Sequence, residues 1–365
     1  MNILHINSYY ASSKFYKNLY DIQIKDDNIV VYVPVANSYK IDRGFGNYSI
    51  ISHCYNKIDR LLFHKKHGKI LKDIETRLDI SSFDIIHAHS LFSNGYIAYK
   101  LSKKYNIPFV VAVRNTDVNV FFKYMFHLRF LGINILKSAK KIIFISYPYK
   151  ELTINKFVPN KLKNDFNEKS IVVPNGVSDF WINNIYSVER TLGDTINFVY
   201  VGDINKNKNV LMSAKALNEL IKSGIKLNFN VAGKIKDKRI FNKLSKFTFF
   251  NYHGVLNESQ LLELYRSNDI FIMPSKKETF GIVYLEAMSQ GLPVIYSKGQ
   301  GFDGYQPDGE IGYRVLSNDI NDIVQILKNV INNYSEISSN STKTVKNYIW
   351  FELNKIYNSQ YRKLY

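Results

Sequence analysis

Short apolar runs rich in β-branched residues recur at 2–7, 29–35, 84–89, 108–113, 141–145 and 171–174. A second series follows at 196–201, 227–232, 248–252, 269–274, 293–296 and 312–315. Most of these runs are uninterrupted, the pattern of parallel strands covered on both faces. Between them, stretches at 53–78, 91–105, 209–223, 258–267 and 281–290 read as helices, and an aromatic stretch at 345–365 reads as a last helix. Strand–helix–strand repetition predicts an α/β protein with parallel sheets. The polar, irregular stretch 178–194 separates the two series. The expected domains are 1–180 and 190–345, each Rossmann-like, with ligands beyond the carboxyl ends of the strands. Two such domains facing each other would make a cleft with a site on each wall.

Composition narrows the picture. With 365 residues, 45% hydrophobic and 15% aromatic, the chain can build two cores, which excludes wholesale disorder. No run of about 18 uncharged apolar residues is present, so no spanning helix is expected. The first residues lead directly into a strand and lack the pattern of a signal peptide. Cys54, the one cysteine, cannot form an internal disulfide, and a cytoplasmic location is expected. The 49 Lys and Arg against 31 Asp and Glu give a net charge of +18, which draws the chain to phosphates. Those phosphates could belong to a nucleotide, a lipid headgroup or a nucleic acid. No nucleic-acid-binding motif is present, so none is expected as partner.

Seven of the 18 glycines fall between Gly281 and Gly312, on loops after the strands of the second half. Glycines there permit close backbone approach to a ligand. The segment from Pro274 to Met288 leaves a strand and enters a helix near Gly281. Backbone N–H groups at Gly281, Ile282 and Val283 would then face a phosphate at the positive end of the helix dipole. Glu278 lies just ahead of that helix, and Glu286 lies about one and a half turns inside it. Carboxylates accept paired hydrogen bonds from vicinal diols, so ribose and hexose are natural partners.

In these residues the chain resembles the retaining GT-B glycosyltransferases of family 4. The pattern PS-x-x-E-x-FG-x-x-x-x-E-A-x-x-x-G-x-PV-I runs complete from Pro274 to Ile295. Asn175-Gly176-Val177, Val201-Gly202 followed by Lys208, and Gly254-Val255 extend the resemblance. It implies two Rossmann-like domains, with the C-terminal helix (346–365) packing back on the first. The implied activity moves a sugar from a nucleotide-sugar donor, UDP- favoured over GDP-, to a lipid-linked glycan in surface polysaccharide assembly of the O-antigen or capsule kind. A nucleotide-sugar epimerase of the same fold is the alternative within the fold; a basic binding protein without catalysis is the alternative outside it.

The resemblance also assigns roles. Glu278 would hold donor-sugar hydroxyls and Glu286 the ribose. Lys208 and the amides of Gly281–Val283 would neutralise the leaving diphosphate near Gly202, and the backbone at Val255 would meet the base. No Asp-x-Asp occurs, so no metal or other cofactor is expected. Asp203 stands where family members usually carry Arg, with Lys206 as the candidate replacement cation. Arg114 stands where a His is usual, and it cannot serve as a base.

Asp117 is the acidic candidate of the first half, or a helix N-cap. Asn175 and His89 are acceptor-side candidates. His87 and His89 share one strand face, but no third ligand lies near them in sequence, so one is expected in the core and His89 beside the cleft. The segment 118–141, aromatic and aliphatic with Lys123, His127 and Arg129, is either a buried helix or an interfacial one. Arg60, Lys65, Lys66, Lys69 and Lys72 form a basic helix, either solvated or on an anionic membrane, which would make the protein peripheral on the inner face.

Overall fold

The computed structural model describes residues 1–13, 15–41 and 44–364. The chain forms two units, one of Met1–Ile145, Tyr149–Pro174 and Trp350–Tyr365, the other of Ser146–Pro148 and Asn175–Ile349. The main crossing, after Pro174, comes just ahead of the irregular stretch in the sequence.

The first unit holds seven strands: β1 (Asn2–Ile6), β2 (Asn28–Ala36), β3 (Ser49–Tyr55), β4 (Ile85–Ala88), β5 (Phe109–Val113), β6 (Lys141–Phe144) and β7 (Ser170–Val172). Their order is β3-β2-β1-β4-β5-β6-β7, and every pairing is parallel. Chain direction across the sheet reverses between β1 and β4, so the crevice at their carboxyl ends is the place for a ligand. Strands with residues such as FVVAV are buried along their whole length because helices cover both faces.

Each face has its own core. Helices Phe63–Arg77, Ser93–Tyr105 and Arg129–Ser138 cover one side through Ile70, Ile74, Ile97, Leu101, Ile135 and Leu136. Helices Phe15–Gln23 and Trp350–Arg362 cover the other, where Trp350, Leu353, Tyr357 and Tyr361 pack with Leu19, Tyr20 and Val31. Each such side chain taken from water contributes roughly 1.5–3 kcal/mol. The C-terminal helix therefore belongs to the first unit's core.

Two elements differ from the sequence reading. The stretch 53–78 is not one helix: His53, Cys54 and Tyr55 finish β3, which pairs parallel with β2 through a register shift at Val35/Ala36, and the helix begins only at Phe63. The stretch 118–141 is also broken. A wide turn spans Asp117–Phe122, a tight one Phe126–Leu128, and an α-helix starts at Arg129. Met125, at φ −97° and ψ 67°, interrupts the helix, and Arg129 Nε donates to Phe122 O at 2.6 Å, occupying a carbonyl that a continuous helix would use. Val118, Phe122 and Leu128 enter the core, while Tyr124, Phe126 and Phe130 are 63, 65 and 76% exposed. The segment is thus part core and part surface.

The second unit holds β8 (Ile196–Val201), β9 (Leu227–Ala232), β10 (Phe250–Tyr252), β11 (Ile270–Ile272), β12 (Val294–Ser297) and β13 (Gly312–Val315). The order is β10-β9-β8-β11-β12-β13, again all parallel. Here the reversal lies between β8 and β11. The loops leaving those two strands carry Gly202 to Lys208 and Pro274 to Gly281. No described helix in either unit is long and apolar enough to cross a membrane.

Candidate active site

The two loops at the β8/β11 reversal are tied together by a backbone hydrogen bond and by asparagine side chains. Lys276 N donates to Asn207 O at 2.8 Å, and Asn207 Nδ2 donates to Lys277 O at 3.0 Å. Asn209 Nδ2 donates to Pro274 O and to Ser317 O, at 3.0 and 2.7 Å. Asn205 Oδ1 accepts from the N–H of Asn207 and of Lys208, both at 2.8 Å, which turns the chain so that Lys208 points at its partner. That partner is Glu278: Lys208 Nζ lies 2.6 Å from Oε2 in a half-buried ion pair.

A third loop holds Glu278 from behind. Gln300 Oε1 accepts from Glu278 N at 3.2 Å, and Gly301 N donates to Glu278 O at 3.0 Å. A Cβ at Gly301 would meet the backbone of Thr279 and Phe280 at 2.4–2.5 Å, so only glycine fits this crossing. The asparagines 205, 207 and 209 and Gln300 escape sequence reading because their partners lie tens of residues away and follow no local spacing.

Gly281 is the N-cap of the helix Ile282–Ser289, at φ +89°. That left-handed conformation suits glycine, and a Cβ there would lie 2.4 Å from the Tyr284 ring. The N–H groups of Ile282 and Val283 have no acceptor among the described residues, leaving first-turn donors for an anion. Glu286, further along the same helix, accepts from Tyr265 Oη at 3.3 Å. Burial pushes its carboxyl up to about 7, partly offset by the tyrosine hydrogen bond.

The remaining candidates of this unit are more loosely placed. Gly202 follows β8 and donates its N–H to Ala232 O. Tyr200 Oη donates to Asp203 O at 2.9 Å, pinning the backbone of that residue. Lys206 is exposed and lines a hollow of about 500 Å³ with Lys276, Arg239 and Lys243. Val255 is 72% exposed, beside Gly254, whose carbonyl accepts from Gly233 N. Asn175 is partly exposed in the stretch before the helix Asp179–Asn183.

In the first unit Asp117 is fully buried and its two oxygens accept from the N–H groups of Leu91, Phe92 and Arg114 at 2.9–3.0 Å. Burial raises its carboxyl to about 6 against the pull of those bonds. The carboxyl therefore ties the loops after β4 and β5 together. Arg114, 9% exposed, sends Nε toward His89 O at 3.4 Å.

His89 is not at a border; it is fully buried with His87 and His5. His5 of β1 stands in register with His87 of β4, which brings a third imidazole to the pair. His5 Nδ1 and His89 Nε2 are 3.1 Å apart, Tyr20 Oη is 3.1 Å from His89 Nε2, and His87 Nδ1 is 2.6 Å from Tyr361 Oη. Burial lowers His5 to about 3 and holds His87 and His89 well below their ordinary value, so all three are neutral.

Residues 185–348, nearly the whole unit built on β8–β13, match the family described as "Glycosyl transferases group 1". Across 295 residues the chain is 25% identical to UDP-Gal:alpha-D-GlcNAc-diphosphoundecaprenol alpha-1,3-galactosyltransferase of Escherichia coli, covering 72% of this chain and 71% of that one. It is 25% identical over 311 residues to alpha-monoglucosyldiacylglycerol synthase of Acholeplasma laidlawii, covering 78% and 75%. The lipopolysaccharide outer core galactosyltransferase WaaB superposes with a TM-score of 0.76 at 19% identity, over 98% of both chains. With two parallel-sheet units and the paired Lys208–Glu278 loops at the β8/β11 crevice, the chain is a glycosyltransferase of GT-B fold whose residues 185–348 carry the match to the group 1 family.

Proposed function

We propose that this enzyme transfers a sugar, with retention and as a family 4 member, from a nucleotide-sugar to a lipid-linked glycan during surface polysaccharide assembly. The observation that carries the reading is the Lys208–Glu278 pair beside the open first turn at Ile282. A cation, a set of free N–H donors and a carboxylate stand together, which suits a diphosphate joined to a sugar. Lys208 and the helix end take up charge on the leaving diphosphate, so no divalent ion is needed there. Glu278 orients sugar hydroxyls, and Glu286 receives the ribose diol. A UDP-sugar is the favoured donor, as the name of the Escherichia coli relative includes UDP-Gal.

The lipid-linked acceptor draws support from the names of that relative, with its diphosphoundecaprenol, and of the alpha-monoglucosyldiacylglycerol synthase. Peripheral binding to an anionic inner face fits the surface of the first unit. Tyr124, Phe126 and Phe130 are exposed around Arg129, whose guanidinium lies 4.3 Å from the centre of the Phe126 ring. Ile58, Leu61 and Leu62 are exposed beside Lys57 and Arg60, just ahead of the basic helix. Apolar tips flanked by cations suit a headgroup region. Lys65 and Lys69 also serve the fold, because both approach the buried carboxylate of Asp59, at 3.9 and 2.6 Å.

The test is a transfer assay with UDP- and GDP-sugars against a diphosphate-lipid acceptor, reading the anomeric configuration of the product by NMR. Retained configuration with a UDP-sugar is expected. An inverted product, or epimerised donor without transfer, overturns the reading.

A further inference from the structure

We propose that His5, His87 and His89 form a binding site for a transition-metal cation of the Zn²⁺ class inside the first unit. Hydrogen-bond accounting points to it. His5 Nδ1 and His89 Nε2 are turned toward each other, and His87 Nε2 is buried without any partner. Unpaired buried polar atoms are rare, and an ion shared with the other two rings would give His87 Nε2 its partner. His89 Nε2 is also approached by both His5 Nδ1 and Tyr20 Oη, although a neutral imidazole offers one lone pair to two such neighbours.

Spacing agrees with coordination. One nitrogen from each ring lies within 4.8 Å of the others. The 3.1 Å between His5 Nδ1 and His89 Nε2 is close to the ~3.3 Å that separates two nitrogens around a tetrahedral zinc ion. The His87 ring is already oriented for coordination, since Tyr361 Oη engages Nδ1 and leaves Nε2 free, as an outer partner does for a ligating histidine. Tyr20 Oη, held by Asn7 Nδ2 at 2.8 Å, marks a polar fourth position beside His89.

The donor set decides the ion. Three imidazoles and no carboxylate suit Zn²⁺, Ni²⁺ or Cu²⁺ and do not suit Mg²⁺ or Ca²⁺. Such an ion would fasten β1 to β4 and, through Tyr361 and Tyr20, to the two helices over that face. It is independent of donor chemistry in the other unit.

The experiment uses the full chain with any affinity tag removed. Metal content is measured after dialysis, then stripped protein is titrated with Co²⁺ and its melting temperature is read with and without Zn²⁺. The proposal expects about one equivalent of metal per chain, visible Co²⁺ ligand-field bands of a nitrogen-rich site, and a rise in melting temperature with Zn²⁺. His5→Asn and His89→Gln should abolish the bands and the rise, while His64→Gln, at an exposed position, should change neither. Stripped wild type that takes up no Co²⁺ and melts identically with Zn²⁺ overturns the proposal. Bands that survive in both variants place the ion elsewhere and overturn it equally.

Discussion

Lys208 and Glu278 stand 70 residues apart in sequence and 2.6 Å apart in space, each held by its own loop. In the proposed enzyme one serves the diphosphate and the other the sugar, so the donor must enter between partners that already neutralise each other. Removing either leaves the survivor half-buried without a counter-charge.

Glu278→Gln should lower kcat by roughly 10²–10³-fold, since it removes a charge-assisted hydrogen bond that strengthens as the sugar departs. Lys208→Met should act similarly, and the double variant should lose less than the product of the two. Steady-state kinetics on the three variants checks this. Near-normal rates in both single variants would remove the site assignment.

Glu286 should make stability and donor affinity depend on pH in opposite directions. Its carboxyl titrates near 7 in the folded protein against 4.5 as its ordinary value. Between those values the folded state holds the extra proton, so stability falls as pH rises from 4.5 to 7, by no more than about 3 kcal/mol. Glu286→Gln should flatten that fall, seen in melting curves from pH 5 to 8. The donor KM should drop as wild type ionises through pH 7, and the Gln variant should show a raised, pH-insensitive KM.

Transfer should proceed without added Mg²⁺ or Mn²⁺ and in the presence of EDTA over the minutes of an assay. Lys208 and the free amides at Ile282 and Val283 supply the charge a metal would bring. Complete loss on chelation, restored by Mg²⁺ or Mn²⁺, would contradict this.

Replacing Tyr124, Phe126 and Phe130 by Ser should leave the melting temperature within a few degrees, since all three are exposed. Binding to anionic vesicles should weaken by about tenfold or more, because apolar contact with the interface is lost. Vesicle sedimentation at low and high salt separates the apolar from the electrostatic part. Equal partition of wild type and variant would return these aromatics to an ordinary surface.

Gly281→Ala should destabilise the second unit by about 1–3 kcal/mol and weaken donor binding. The residue holds a left-handed φ, and its Cβ would strike Tyr284. Urea denaturation and donor titration give both effects.

Most strands were legible because runs such as Phe109–Val113 are apolar throughout and buried on both faces. β3 escaped because Ser49–Tyr55 mixes Ser, His and Cys at the sheet edge, where only one neighbouring strand constrains it. Glu278, Gly281 and Glu286 were readable from local spacing, since loop and helix place them. The role of Asp117 was not: its three backbone donors come from two loops up to 26 residues away. His5 was equally hidden, for only the β1–β4 register brings it opposite His87 across 82 residues of chain.

The hydrogen bond between Tyr361 and His87 joins residues 274 positions apart, and the helix of Tyr361 supplies Trp350, Leu353, Tyr357 and Tyr361 to the core of the first unit. Emerging from a ribosome, residues 1–174 must therefore wait with one face of their sheet covered only by the helix Phe15–Gln23 while Asn175–Ile349 is made and can fold. The unit made first is the one finished last. That interval exposes Val31, Tyr20 and Leu19 to solvent and makes the nascent N-terminal half a natural client for chaperones. It also makes loss of Trp350–Arg362 a lesion of the opposite end of the polypeptide.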